Sequence, residues 1–172
     1  AFRLSLLKQV PRYAAVLKLA AEKAQWGAAL PAGHAHGLAF HESFGSIVAQ
    51  VAEVSIQGGM PRVHRVVCAI DCGTVVNPGT VAQQVESSVN FALSAALFGK
   101  IDIQDGVVQQ TNFTNYPLVH MAQSPVVETW IVPSTQSPEG VGEPAVPPLA
   151  PAVANAMFKL TGQRLRSLPL KA

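Results

Sequence analysis

Charge is the scarcest commodity in this sequence. Of 172 residues, 12 are Lys or Arg and 10 are Asp or Glu, so charged side chains make up 13%. That is half the share of roughly 25% usual in soluble domains. A free-standing domain so poor in charge would present a sticky surface, which points to faces covered by protein outside this chain. The net charge is +2, there is no basic run, and aromatic residues reach only 6%. Nucleic-acid binding is thereby excluded as a working hypothesis. No apolar run approaches the roughly 18 residues needed to span a bilayer. The longest candidate, Phe91 to Phe98, contains Ser94. No signal-peptide pattern is visible, but the chain opens Ala1-Phe2-Arg3 without a Met, so compartment cannot be read from it. There are two cysteines, Cys68 and Cys72. Four positions apart on an extended strand they would stand roughly 13 Å apart, too far for a disulfide. Two small buried residues is the preferred reading, ahead of a redox or metal pair.

What is present is turn chemistry and two kinds of hydrophobic pattern. There are 13 Gly and 13 Pro. Pro11 opens a helical pattern carried by Ala14, Val16, Leu17, Ala20, Ala21 and Ala24 and closed by Gly27. Leu30 to Gly37 reads as a loop, and Phe40 to Ile56, rich in Val, Ala and Ile, as a strand. Gly58-Gly59 is a two-residue hairpin signal, with Val63 to Asp71 as the returning strand. Asn77-Pro78 is a helix start, Asn as cap and Pro in the first turn, and the helix runs to about Phe98. Asp105-Gly106 signals a second hairpin. Val126 to Val132 is a further strand, Pro133 to Pro148 a long loop, and Leu149 to Leu160 a last helix ending at Gly162. The order predicts an α+β fold, a mixed or antiparallel sheet of hairpins packed with about three helices, in a single domain over residues 1–172.

The long loop holds the most chemical promise, because uninterrupted loops of that length are usually functional or disordered. Gly140, Gly142 and the flanking prolines present Glu143 between a strand and a helix start. Two roles are open to that carboxylate: a general base in an apolar pocket, or a cap for the following helix. Gln84 likewise reads as a cofactor contact or as an ordinary helix-surface glutamine. For a transition-metal site on His34, His36 and His41, no carboxylate or cysteine except Glu42 stands at a matching spacing. They read as loop histidines, facing solvent or protein outside the chain, so no metal ligand is assigned. Arg62, His64 and Arg65 form a weak basic patch, read as a solvated strand face, and Trp130 reads as core.

Two blocks carry a family resemblance. Gly140-Val141-Gly142-Glu143-Pro144, followed by Pro147-Pro148-Leu149-Ala150-Pro151-Ala152-Val153-Ala154-Asn155-Ala156, resembles the C-terminal signature of the molybdopterin-binding large subunit of the xanthine oxidase family. Upstream, Asp71-Cys72-Gly73, Val76-Asn77-Pro78 and Gln83-Gln84-Val85-Glu86 resemble the family's Asp-x-Gly, Asn-Pro and Gln-x-Glu-Gly-Gly run. The segments His41 to Ser46, Phe91 to Leu97 and Arg164 to Leu170 are most similar to the isoquinoline 1-oxidoreductase beta-subunit branch. The resemblance covers essentially the whole chain and implies a molybdenum cofactor-binding domain-like fold.

The resemblance implies a chemistry. Glu143 would act as general base to a Mo-bound hydroxide in the hydroxylation of an N-heteroaromatic or aldehyde carbon, with water as the oxygen source. Gln84, Gly140, Val141 and Gly142 would contact a molybdopterin cofactor, of the cytosine dinucleotide form, carrying Mo. A 2Fe-2S cluster would sit on a partner small subunit, and a cytochrome c subunit is a further partner. The compartment implied is a bacterial periplasm or cytoplasm, with any membrane association made through partners. The opening Ala1 to Leu7 resembles a stretch well inside the large subunit, so the chain is expected to be its C-terminal portion, inactive by itself and completed by the remainder of that subunit. Two features depart from the family pattern. Ser87-Ser88 stands where the family has Gly-Gly, and the upstream Gly-rich cofactor loops are absent. A non-catalytic binding or assembly domain derived from the same family is the alternative.

Overall fold

The computed structural model describes residues 2–171. A short helix α1 (Phe2–Leu6) precedes α2 (Pro11–Lys23), which has Pro11 in its first turn. Three long strands follow: β1 (Ala35–Ser43), β2 (Ser46–Gln57) and β3 (Met60–Asp71). Helix α3 (Pro78–Phe98) is capped by Asn77, whose Oδ1 accepts from the Thr80 N–H at 3.1 Å. A two-residue ribbon, β4 (Ile103–Gln104) and β5 (Val107–Val108), stands apart from the main sheet. After a 3₁₀ turn at Met121–Gln123 come β6 (Val126–Ile131) and α4 (Leu149–Thr161). Gly162, with φ of 74°, ends α4 in the left-handed conformation that favours glycine.

The main sheet has the order β1-β2-β3-β6. The first three strands are antiparallel neighbours and β6 runs parallel to β3. The expectation of a mixed sheet with helices holds, with two differences. The segment expected to hold one strand, Phe40 to Ile56, is a hairpin that turns at Phe44-Gly45, both with positive φ (55° and 76°). The second hairpin, around Asp105-Gly106, is only a ribbon outside the sheet.

Helices cover both faces, so β2 is buried nearly throughout instead of on alternate residues. Ile47, Ala49 and Val51 join Val16, Leu17 and Ala20 of α2 in one cluster. Ala52, Val54, Val63 and Val66 join α3 and α4 through Val89, Leu93, Val153 and Met157. A bulge beside Glu53/Val54 gives β3 one extra residue, His64, which lets Val63 and Val66 face the same side. Helix α4 lies hard against β1: a Cβ on Gly37 would stand 2.0 Å from the Ala152 carbonyl oxygen. Asn155 Nδ2 donates to the Leu38 carbonyl at 3.0 Å. This contact fixes α4, and with it the end of the loop that precedes it.

Candidate functional site

The two sequence blocks meet at the C-terminal end of β3. Asp71 closes the strand, and its carboxylate accepts from Arg12 Nε and Nη2, both at 2.9 Å, and from the Gly73 N–H at 3.1 Å. Gly73 has φ of 72°, and a Cβ there would lie 1.9 Å from the Ser137 carbonyl oxygen. The Asp-Cys-Gly turn therefore needs glycine for both its conformation and its close approach to the long loop. Hydrogen bonds complete the seam: Thr74 N to Gln136 O at 2.9 Å and Glu139 N to Cys72 O at 2.9 Å.

From there the loop runs over the end of the sheet toward α3. Ser46 Oγ donates to the Gly140 carbonyl at 2.7 Å, Ser88 Oγ to the Gly142 carbonyl at 3.1 Å, and Gln50 Nε2 to the Ala145 carbonyl at 2.7 Å. Ser46, Gln50 and Ser88 are all buried. Gly140 also donates to the Phe44 carbonyl at 3.1 Å, and its Cα packs so closely on Phe44 that an added Cβ would lie 2.8 Å from Phe44 Cβ. Three loop carbonyls thus point into the fold. Among the described residues, the Val141, Gly142 and Glu143 N–H groups have no protein acceptor. A Cβ built on Gly142 would meet nothing within 4 Å.

Glu143 is exposed at the crest of this loop. It does not cap α4, which begins at Leu149 with Pro148 in the cap position and no side chain bonded there. That removes one of the two roles open to it from the sequence. Gln84 lies half-buried on α3, four residues before Ser88 and hence one turn away on the same helix face. The Ser88 contact brings Gly142 to that face, one helical turn from Gln84. A cavity of 220 Å³ adjoins the loop, lined in part by Cys72, Asn77, Thr80 and Val141. A cavity of 530 Å³ lies instead against α1 and α2 and includes none of these residues.

Comparison with known proteins bears on what this region is for. The model of the molybdopterin cofactor-binding domain family matches residues 7–125. The beta subunit of isoquinoline 1-oxidoreductase from Brevundimonas diminuta is 38% identical over 99% of this chain and 22% of its own length. The chain belongs to the molybdopterin cofactor-binding domain family. A membrane-bound aldehyde dehydrogenase (pyrroloquinoline-quinone) of Gluconacetobacter polyoxogenes is 33% identical over 93% of the chain and 22% of its own length. The chain therefore spans about a fifth of these relatives. Quinoline 2-oxidoreductase from Pseudomonas putida 86 shares the fold, with a TM-score of 0.66 and 21% identity over 72% of this chain and 17% of its own.

Within this molybdopterin cofactor-binding domain, several side chains stand differently from their expected places. His36 is not a loop residue: β1 begins at Ala35, so His36 is buried in the strand and stacked on Trp26. His34 stacks on His64 at 4.4 Å and pairs with Glu53 at 2.7 Å instead of facing solvent freely. Among the described residues no three or more His, Cys, Asp or Glu side chains are grouped so that they could hold a metal ion. The basic patch is occupied internally: Arg65 forms a two-pronged pair with Glu128, and Arg62 donates to the Ala122 and Gln123 carbonyls. Trp130 is not core. It lies on the edge strand β6, 38% exposed, with Lys23 Nζ 4.3 Å from its ring centroid. The buried side-chain donors to the Gly140–Ala145 stretch, Ser46, Gln50 and Ser88, were not assigned from the sequence. Only the Ser87-Ser88 departure from the family pattern marked one of them.

Proposed function

We propose that this chain supplies the general base, Glu143, and one wall of the cofactor site in a molybdenum hydroxylase acting on an N-heteroaromatic or aldehyde carbon. The observation that carries this reading is the contact of Ser88 Oγ with the Gly142 carbonyl at 3.1 Å, which sets the Glu143 loop beside the Gln84 face of α3. The residues present fit a molybdopterin cofactor. The N–H groups of Val141, Gly142 and Glu143, which bond no acceptor among the described residues, offer donors to an anionic or carbonyl-rich ligand. Open space at the Gly142 Cα permits close approach, and the Gln84 amide can both donate and accept.

When bound, the molybdenum cofactor supplies the two-electron oxidation of the substrate carbon. The work of this chain is positional and acid–base. Glu143 accepts at its carboxylate the proton lost by the attacking oxygen nucleophile. Gln84 and the Gly140–Gly142 backbone orient the cofactor. Glu143 is exposed in this chain, so the walls that exclude water come from the remainder of the large subunit, of which residues 1–172 form the C-terminal part. By the same reading the cofactor is the cytosine dinucleotide form, a small subunit carries a 2Fe-2S cluster, and a cytochrome c subunit accepts electrons onward.

The test is Glu143→Gln in the assembled enzyme. Turnover is expected to fall by at least about a thousandfold, within the range of losing a general base and its charge, while molybdenum content stays near that of the parent. Near-parental turnover would remove Glu143 from the mechanism and favour a non-catalytic assembly role.

A further inference from the structure

Peptide planarity makes the loop hydrogen bonds informative about Glu143. In a trans peptide the C=O of one residue and the N–H of the next point in opposite directions. Ser88 Oγ holds the Gly142 carbonyl inward, so the Glu143 N–H is turned outward by the same peptide unit. On the other side, the Glu143 carbonyl accepts from the Val146 N–H at 2.9 Å. That N–H belongs to the peptide whose carbonyl, Ala145 O, accepts from Gln50 Nε2 at 2.7 Å. One residue of the loop is thus held from both directions by two buried side chains on different elements, α3 and β2.

The energetic arrangement supports a reason for keeping them. Gln50 is fully buried, yet its Oε1 has no partner among the described residues. An unpaired buried acceptor is costly, and an apolar residue of similar shape would remove that cost. What the apolar residue would lose is the donor on Ala145. Ser88 is a similar case: it replaces a small residue of the family pattern, is 2% exposed, and spends its hydroxyl on Gly142. The Ser87-Ser88 departure therefore divides into two parts, an exposed Ser87 and a buried anchor.

We infer that Ser88 and Gln50 are positioning residues for Glu143: Ser88 holds the peptide unit before it directly, and Gln50 holds the one after it through the Ala145–Val146 peptide, so that together they set the aim of its carboxylate. The inference rests on the reading of Glu143 as the base. It concerns orientation, not contact with substrate or cofactor.

The experiment compares Ser88→Ala and Gln50→Met with the parent in the assembled, cofactor-loaded enzyme. Two readouts are taken: hydrogen–deuterium exchange of the peptide covering Gly140 to Val146, and steady-state kinetics with molybdenum content. Exchange at Val146 is expected to rise about tenfold in either variant, and kcat to fall about tenfold, with KM and molybdenum content within about twofold. A tenfold change is what one ordinary hydrogen bond can supply. Unchanged exchange in both variants would overturn the clamp. Raised exchange with parental kcat would overturn the link to catalysis. If Glu143→Gln itself retains turnover, the base assignment fails while the exchange result still reports on the clamp, so the two failures are distinguishable.

Discussion

Arg12 on α2 and Asp71 at the end of β3 form a two-pronged ion pair, Nε to Oδ2 and Nη2 to Oδ1, each at 2.9 Å. The pair joins the helix on one face of the sheet to the turn that leads into α3. Asp71 is 2% exposed, whereas the Arg12 side chain is 40% exposed. The Arg12 hydrogen bonds hold the Asp71 carboxyl below its ordinary range, against the opposing effect of burial and with help from the Gly73 N–H.

The sign of the pH dependence follows. A carboxyl with a lowered folded pKa adds stability that is complete above its unfolded value, near 4, and is lost as pH falls through the lower folded value. Asp71→Asn should cost about 2 kcal/mol at pH 7, the scale of charge-assisted hydrogen bonds with one partly exposed partner. The difference from the parent should shrink as pH falls below about 4. Urea unfolding across that range measures it. A pH-independent gap would mean that the pair is not the source.

The turn after Asp71 offers a second prediction. Gly73→Ala meets both obstacles to substitution, a φ of 72° and a Cβ 1.9 Å from the Ser137 carbonyl oxygen. The loop segment at Gln136 to Glu139 must move, breaking its bonds to Thr74 and Cys72. A loss of about 3 kcal/mol is expected from backbone strain and overpacking together. A variant with parental stability and an unmoved loop in its structure would contradict this.

These residues also show where the sequence was legible. Pro11, Asn77-Pro78 and Gly162 announce helix ends because capping is local chemistry, and the structure places α2, α3 and α4 accordingly. The Gly58-Gly59 turn is equally local, with φ of 57° and 77°. The Phe44-Gly45 turn was not legible. A phenylalanine at φ 55° carries no turn signal, and it is steadied by Gly140, nearly a hundred positions away, which donates to its carbonyl. The loop donors are remote in the same way: Ser46 and Gly140 are 94 positions apart, Gln50 and Ala145 95, Ser88 and Gly142 54. The Glu143 loop was visible as a motif, but the side chains that hold it belong to no local pattern. Trp130 was misplaced because alternation along a strand does not tell which of its faces is covered.

The cysteines give a prediction about reactivity. Cys68 is fully buried in β3 and its thiol is pushed up to about 12 by burial. Cys72 is 3% exposed and also raised, by burial first and then by the nearby Asp71 charge. Thiolate is the reactive form, so neither should alkylate at pH 8 in the folded protein, whereas both should react in denaturant. Mass spectrometry after iodoacetamide treatment decides it. Rapid labelling of Cys68 in the native state would show that β3 opens far more readily than its buried position implies.

The two loop glycines separate packing from ligand approach. Gly140 is crowded by Phe44, but a Cβ on Gly142 meets no protein atom within 4 Å. Within the protein alone, Gly142→Ala should therefore be nearly silent, changing stability by less than about 0.5 kcal/mol. If the open side of Gly142 faces the cofactor, the added methyl occupies space that the ligand needs. The assembled enzyme should then retain less molybdenum, by about fivefold or more, a loss of at least about 1 kcal/mol in binding. Molybdenum analysis beside a thermal melt reads both quantities from one preparation. Full molybdenum content at parental stability would show that the open face of Gly142 is turned to solvent or to other protein, and Glu143 would then have to reach the reacting carbon from a loop that does not itself touch the cofactor at that point.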